Sequence, residues 1–262
     1  MIDQKNVAEV VLDVIKGAGE FLCELSQSNF TVDFKSKTDM VTSADKAVED
    51  YIVSRLQAEF PSFSVFSEEV GLLKADNTDF LWLIDPIDGT TNFVHGFLHY
   101  CVSIALTHQG TVILGAVNDP TRGEIFHALQ GEGAYLNGNR ISVSDTVSLS
   151  ESLVVTGFTN ADHPDNAANM RHFTRAVQAC QAVRRTGSAA LDLSNVACGR
   201  LDGYLQKGID SYDIAAGCLI VKEAGGKVSN LDGHTFSLTS GEILATNGLI
   251  HAEMQRLTLD QQ

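Results

Sequence analysis

The sequence predicts an α+β protein, on three observations. Near the N-terminus Val7, Val10, Val11, Val14, Ile15, Ala18, Phe21, Leu22 and Leu25 recur at the spacing of an amphipathic helix. From Phe63 to Val155 short apolar and β-branched runs are broken by Gly and Asn turns, which is a strand pattern. Beyond that stretch, helical and strand signals alternate towards the C-terminus.

The elements follow in order. The first periodic stretch gives a helix over residues 4–26. Lys35-Ser36-Lys37-Thr38-Asp39 is a polar loop. Thr42 can cap a second helix that runs to about Phe60, where Pro61 stops it. Phe63 to Phe66 and Phe80 to Ile84 are apolar strands, the second ending at Asp85. Pro86 cannot donate to a ladder and so fits a strand end. Val102 to Thr107 and Val112 to Val117 flank His108-Gln109-Gly110, a hairpin signal. Gly123 to Leu129 and Ala134 to Leu136 continue the sheet into the turn dipeptide Asn137-Gly138. Residues 160–168, with Pro164, form a loop between two halves. A helix over about 166–181 leads to a strand Val183 to Thr186, a helix Ser188 to Cys198 and a strand Gly203 to Gln206. Asp213 opens a small-residue helix. Val228-Ser229 and Leu244-Ala245-Thr246 are late strands, and residues 249–258 a last helix.

Composition bounds the function. The 262 residues suffice for one domain of two packed halves, about 1–155 and 156–262. The hydrophobic fraction of 44% provides a core. No run of 18 apolar residues occurs, so no membrane partner is expected. The first residues lack the basic-then-apolar pattern of a secretory signal. A net charge of −15 lacks the basic footprint of a nucleic-acid binder. The cysteines, Cys23, Cys101, Cys180, Cys198 and Cys218, are odd in number and unpaired in spacing, which fits free thiols in a cytoplasmic protein. His95 and His99 are better read as loop or packing residues than as ligands, because the chemistry indicated next favours oxygen donors.

That chemistry lies in Trp82-Leu-Ile-Asp-Pro-Ile-Asp-Gly-Thr-Thr-Asn-Phe93. Asp85 and Asp88 follow an apolar strand, and Gly89, Thr90 and Thr91 offer backbone N–H groups beside them. The acids suit a hard cation such as Mg²⁺ and the amides suit a phosphate. Alone, Asp-Pro and Asp-Gly read more readily as turn dipeptides. Two further segments shift that balance. Phe66-Ser67-Glu68-Glu69 ends an apolar run in acids, and Asp213 follows Gly208-Ile209-Asp210-Ser211-Tyr212. Asp45, three residues after Thr42, reads equally as a capping-box acid or a site residue. Gly187-Ser188-Ala189 reads equally as an ordinary helix start or a wall for the organic part of a substrate.

These residues resemble the signatures of the inositol monophosphatase family, Mg²⁺-dependent and lithium-sensitive phosphatases. The family's strand followed by Asp-Pro-Ile-Asp-Gly-Thr-Thr-Asn-Phe stands unchanged from Asp85 to Phe93. Its Glu-Glu pair resembles Glu68-Glu69. Its Thr-x-x-Asp resembles Thr42 to Asp45. Its Trp-Asp element resembles Tyr212-Asp213, followed by Glu223-Ala224-Gly225-Gly226. The resemblance spans about Val7 to Asn247. It departs at Tyr212, which keeps an aromatic ring, and at Gln206, where many inositol phosphatases carry Glu. Gln keeps one carbonyl acceptor and loses the charge.

The resemblance implies a layered α-β-α-β-α sandwich of the inositol monophosphatase and fructose-1,6-bisphosphatase type. It implies two or three Mg²⁺ ions held by Glu68, Asp85, the Ile87 carbonyl, Asp88 and Asp213. It makes Glu68 and Thr90 the groups that orient and deprotonate the attacking water, with Asp45 holding Thr90. Asp88, Gly89, Thr90, Thr91, Gly187, Ser188, Ala189, Gln206 and Asp213 would contact substrate. Glu69 would stand behind Glu68, and Lys35 would close over the site. The expected substrate is inositol monophosphate or a similar sugar phosphate; histidinol phosphate, fructose 1,6-bisphosphate and 3′-phosphoadenosine phosphates are alternatives. A homodimer is expected. A protein-binding role in a transcription complex is the non-enzymatic alternative.

Overall fold

A computed structural model describes residues 3–28, 30–34, 40–159 and 163–259. Asp3 caps the first helix, its carboxylate accepting from the amides of Lys5 and Asn6. The helices are α1 (Gln4–Ser26), α2 (Ser43–Glu59), α3 (Thr90–Val94), α4 (Asn166–Ala179), α5 (Ala189–Ala197), α6 (Ser211–Glu223) and α7 (His251–Thr258). The strands of the first half are β1 (Val32–Phe34), β2 (Met40–Thr42), β3 (Phe63–Ser67), β4 (Gly71–Leu73), β5 (Asn77–Asp88), β6 (Cys101–His108), β7 (Thr111–Asp119), β8 (Glu124–Leu129), β9 (Gly133–Leu136) and β10 (Asn139–Arg140). Those of the second half are β11 (Leu153–Thr156), β12 (Ala182–Arg184), β13 (Gly203–Lys207), β14 (Lys227–Ser229) and β15 (Glu242–Thr246).

Two sheets carry most strands. The larger has the order β10-β9-β8-β7-β6-β5-β3-β4, with β3 parallel to β5 and its other neighbours antiparallel. The smaller has the order β12-β11-β13-β15-β14, with β11 parallel to both β12 and β13. β1 and β2 form a small separate ribbon.

Alternation along the strands sorts the apolar residues into three cores. Trp82 and Ile84 of β5 join Val11 and Ile15 of α1 and Ile52 of α2 on one face of the large sheet. Leu83, between them, points the other way and meets Leu193 of α5 and Ile220 of α6. The same core takes Val155, Tyr204 and Ala245 from the small sheet. The far face of that sheet gives Val154, Leu205 and Leu244 to a third core with Ala176 of α4 and Met254 of α7. Buried aliphatic side chains each contribute roughly 1.5–3 kcal/mol relative to exposure. Helices on both outer faces and a helical layer between the sheets give the α-β-α-β-α sandwich the resemblance implies.

The hairpin signals are borne out: Gln109 and Gly110 between β6 and β7, and Asn137 and Gly138 between β9 and β10, all have positive φ, as a two-residue hairpin turn of this hand requires. Some boundaries differ. β5 does not stop at Asp85 but continues through Pro86 to Asp88, its register with β6 shifting between Asp85 and Asp88. A bulge there leaves Pro86 without a ladder donor to supply. Asp213 does not open α6. The helix starts at Ser211 with Asp210 as cap, and Asp213 is its third residue. β12 ends at Arg184 rather than Thr186, because Thr186 turns to hydrogen-bond Asp192. Lys35 lies outside the described residues, as do positions 160–162 of the expected loop between the two halves.

Candidate active site

The bulge in β5 places Asp85 and Asp88 at the strand's end. Both are buried, and the Ile87 amide donates to Asp85 Oδ1 at 3.1 Å. Gly89 follows with φ 99°, a left-handed conformation that favours glycine. A Cβ there would stand 3.1 Å from the His99 carbonyl oxygen and 3.2 Å from that of Gly187. The chain thus turns sharply enough to start α3 beside the acids. The first N–H groups of a helix have no intrahelical partner, so Thr90 and Thr91 offer theirs at this point. Asn92 fastens the turn, its amide nitrogen donating to the carbonyls of His99 at 2.7 Å and Thr186 at 2.9 Å.

Asp45 is the capping-box acid of α2 and also reaches the Thr90 hydroxyl. It completes a capping box with Thr42, accepting from the Thr42 amide at 2.7 Å and hydroxyl at 2.6 Å. Its other oxygen is 3.2 Å from the Thr90 hydroxyl, which also lies 3.0 Å from the Ile87 carbonyl. Burial pushes the Asp45 carboxyl above its usual range, against the Thr42 hydrogen bonds that favour the charge.

Glu68 follows the end of β3, and its amide donates to the Ile84 carbonyl at 3.2 Å. The turn it begins is held by a residue the sequence reading missed. Glu49 of α2 is buried and accepts from the amides of Glu69 and Val70 at 3.1 and 3.3 Å and from the Ser67 hydroxyl. Its position four residues after Asp45, on the same helix face, was the available signal.

From the second half, Asp213 accepts the Asp210 amide at 3.0 Å. Tyr212 packs on Phe66, ring centroids 5.7 Å apart, so the replacement of Trp keeps the aromatic contact. The α5 start approaches Asp88 directly: the Ser188 hydroxyl donates at 2.7 Å, the Ala190 amide at 2.6 Å and the Ala189 amide at 3.2 Å. Ser188 and Ala189 therefore orient Asp88 as well as lining the recess around it. His95 follows α3, while His99 faces the buried carboxylate of Asp192 at 3.6 Å.

The acids share one electrostatic field. Asp85 is pushed well up by burial and then by the charges of Glu68, Asp88 and Asp213. Asp213 is pushed up by burial and then by Asp88 and Glu68. Asp88 is pushed up to about 6, chiefly by burial, although its three donors oppose this. Two like charges about 4 Å apart repel by roughly 4 kcal/mol at an effective dielectric near 20. Among the described residues no three His, Cys, Asp or Glu side chains already stand as a closed ion shell. The oxygens of Asp88 are instead held by donors of α5. The set still fits a hard cation, because it is all oxygen, acidic and short of positive charge.

A cleft of about 670 Å³ opens beside these groups, lined by Glu68, Thr91, Arg185, Gln206, Tyr212 and Asp213 among others. A recess of about 140 Å³ extends it to Asp88, Gly187, Ser188 and Ala189. Gln206 keeps a carbonyl acceptor, which already takes one hydrogen bond from the Tyr204 hydroxyl at 2.7 Å. Tyr204 and Gln206 are two apart on β13 and share a face.

The family model described as the inositol monophosphatase family matches residues 3–261. The chain belongs to the inositol monophosphatase family. It is thus an enzyme of the inositol-1-monophosphatase type, a phosphoric monoester hydrolase. An inositol-1-monophosphatase of Synechocystis sp. is 42% identical over 255 residues, 97% of this chain and 89% of the relative. A relative from Pasteurella multocida, named Nus factor SuhB, is 43% identical over 211 residues, 80% of this chain and 79% of its own. The crystal structure of the extragenic suppressor protein suhB from Bartonella henselae superposes with a TM-score of 0.94 at 32% identity, covering 98% of this chain and 100% of that one. Among the described residues of this family member, no helix is long and apolar enough to cross a membrane.

Proposed function

We propose that the cleft hydrolyses inositol monophosphate or a similar sugar phosphate to the free polyol and inorganic phosphate, with two or three Mg²⁺ ions as cofactor. The observation that carries this reading is the Thr90–Asp45 hydrogen bond beside the convergent acids. Bound Mg²⁺ would be held by Glu68, Asp85, the Ile87 carbonyl, Asp88 and Asp213, where it would lower the pKa of a water and stabilise the leaving oxygen.

The protein's own groups do the rest. The Thr90 hydroxyl donates a hydrogen bond to Asp45 and so turns a lone pair to the attacking water. Glu68 takes the water's proton from the other side. As the water oxygen bonds to phosphorus, the P–O bond to the alcohol breaks and a proton returns to that oxygen. The amides of Gly89, Thr90 and Thr91 donate to the phosphate oxygens as charge builds there. Gly187, Ser188, Ala189 and Gln206 surround the alcohol, and Asp88 and Asp213 add contacts to its hydroxyls. Histidinol phosphate, fructose 1,6-bisphosphate and 3′-phosphoadenosine phosphates remain alternative substrates. A homodimer, lithium sensitivity and a cytoplasmic location belong to the same reading; all five cysteines are unpaired, as a reducing compartment favours.

The test is phosphate release from a panel of these esters, with and without Mg²⁺. Mg²⁺-dependent release supports the reading, and the ratio of kcat/KM values names the substrate. No release by folded protein with Mg²⁺ present sinks it. A protein-binding role in a transcription complex is the second reading, favoured by relatives named Nus factor. Rescue of a deletion strain by Asp85→Asn would show that the phenotype does not need catalysis.

A further inference from the structure

The cleft holds two hydrogen-bond donors that the fold does not use. Gln206 is the first. With its carbonyl engaged by Tyr204, its amide NH₂ has no partner among the described residues, and the residue lines both the cleft and its recess. Gly157 makes room for it: a Cβ at residue 157 would stand 1.4 Å from Gln206 Oε1.

Arg185 is the second. It also lines both cavities, and its Nη1 lies 2.8 Å from where a Cβ on Gly187 would stand. The lysine at this cleft, Lys207, is paired with Asp165 at 3.7 Å. Arg185 has no hydrogen bond or ion pair among the described residues. It meets Asp192 only through the field of its charge.

We propose that Arg185 and Gln206 together select a substrate whose alcohol carries a second oxyanion, a carboxylate or a further phosphate, besides the phosphate that is cleaved. This rests on the phosphatase reading given above. A neutral hydroxyl can satisfy an amide donor, but a guanidinium with no hydrogen-bonded carboxylate among the described residues gains most from an oxyanion it can grip with two N–H groups. Glutamate at position 206 would set a like charge against that group, and glutamine removes the repulsion. The acids on the reacting side bind cation and phosphate, so the second oxyanion is recognised by Arg185 and Gln206 on another wall of the same cleft.

The experiment compares kcat/KM for glycerol 2-phosphate, a sugar bisphosphate and an aldonic acid phosphate, with Mg²⁺. The wild type is expected to prefer one of the two oxyanion-bearing esters by about tenfold or more, as charged recognition of this kind commonly gives; which one it prefers tells phosphate from carboxylate. Arg185→Gln collapses that ratio, mainly through KM, Arg185→Lys keeps part of it, and Gln206→Glu lowers it. Circular dichroism confirms that each variant is folded, and the wild-type ratio stands whatever the variants do. A wild-type ratio near one, or a ratio unmoved by Arg185→Gln, overturns the proposal while leaving the phosphatase reading intact. Hydrolysis of none of the three overturns that reading itself.

Discussion

Asp45 and Glu49 stand one turn apart on α2, and each reaches a different strand end of the active site. Asp45 accepts from the Thr90 hydroxyl after β5, and Glu49 from the Glu69 and Val70 amides after β3. One helix thereby sets the spacing between the loop of Glu68 and the loop of Thr90. Neither acid is exposed.

Glu49→Ala is therefore expected to damage both stability and turnover. It leaves two amides and the Ser67 hydroxyl without their acceptor, at about 1–3 kcal/mol. It also frees the Glu68 turn, for which a misplacement near 1 Å costs roughly a hundredfold in rate. Urea unfolding and steady-state assays read the two effects. Wild-type kcat in folded Glu49→Ala would remove this residue's positioning role.

Asp213→Asn should separate stability from activity in opposite directions. The half-buried Asp213 carboxylate feels the charges of Asp88 and Glu68, so neutralising it relieves repulsion when no cation is bound. In EDTA the variant is expected to melt higher than the wild type, by the equivalent of about 1 kcal/mol or more. With Mg²⁺ it should lose turnover by orders of magnitude and gain less from the ion. A lower melting point in EDTA would contradict the charge account, and unchanged turnover would contradict the metal assignment.

These residues also show what a sequence discloses. Asp85 to Phe93 was legible because strand, bulge, acids and turn are contiguous, and contiguous chemistry survives without a fold. The two-residue hairpins were legible because each turn carries a Gly at positive φ, Gly110 and Gly138. Glu49 was only faintly legible, by its spacing from Asp45, since two of its three donors are backbone amides that carry no residue signature. Gln206 was half legible: its departure from Glu stood out, but the polarity of its exposed end depends on the Tyr204 hydroxyl. Arg185 gave no signal, because what marks it is that no described residue hydrogen-bonds it, which only three dimensions show. The start of α6 was misplaced for a local reason, as Asp210 and Asp213 cap each other reciprocally and either could open a helix.

Gly115 tests the packing between layers. It lies on β7 where α6 crosses, and a Cβ there would stand 2.7 Å from the Ala216 carbonyl oxygen and 2.8 Å from Ala216 Cα. Backbone cannot step aside as a flexible side chain can. Gly115→Ala is expected to cost about 1–3 kcal/mol, as overpacking of a close-packed core does. Chemical denaturation measures it. A neutral or stabilising outcome would mean that sheet and helix can separate without loss.

His251 should make the fold sensitive to mild acid. Its ring is buried, with Nε2 2.9 Å from the Ser229 hydroxyl and Nδ1 2.9 Å from that of Thr246. Burial, and after it the charge of Lys227, pushes its pKa down to about 4. The folded state thus holds a proton less readily than the unfolded chain, whose histidine titrates near 6.5. Its contribution is complete above about pH 6.5 and is lost progressively as the pH falls towards 4, reaching about 3 kcal/mol at most. His251→Gln keeps a donor and an acceptor without the titration, so its urea midpoint should fall less steeply between pH 7 and pH 4.5 than that of the wild type. Parallel curves would assign the acid sensitivity to other groups.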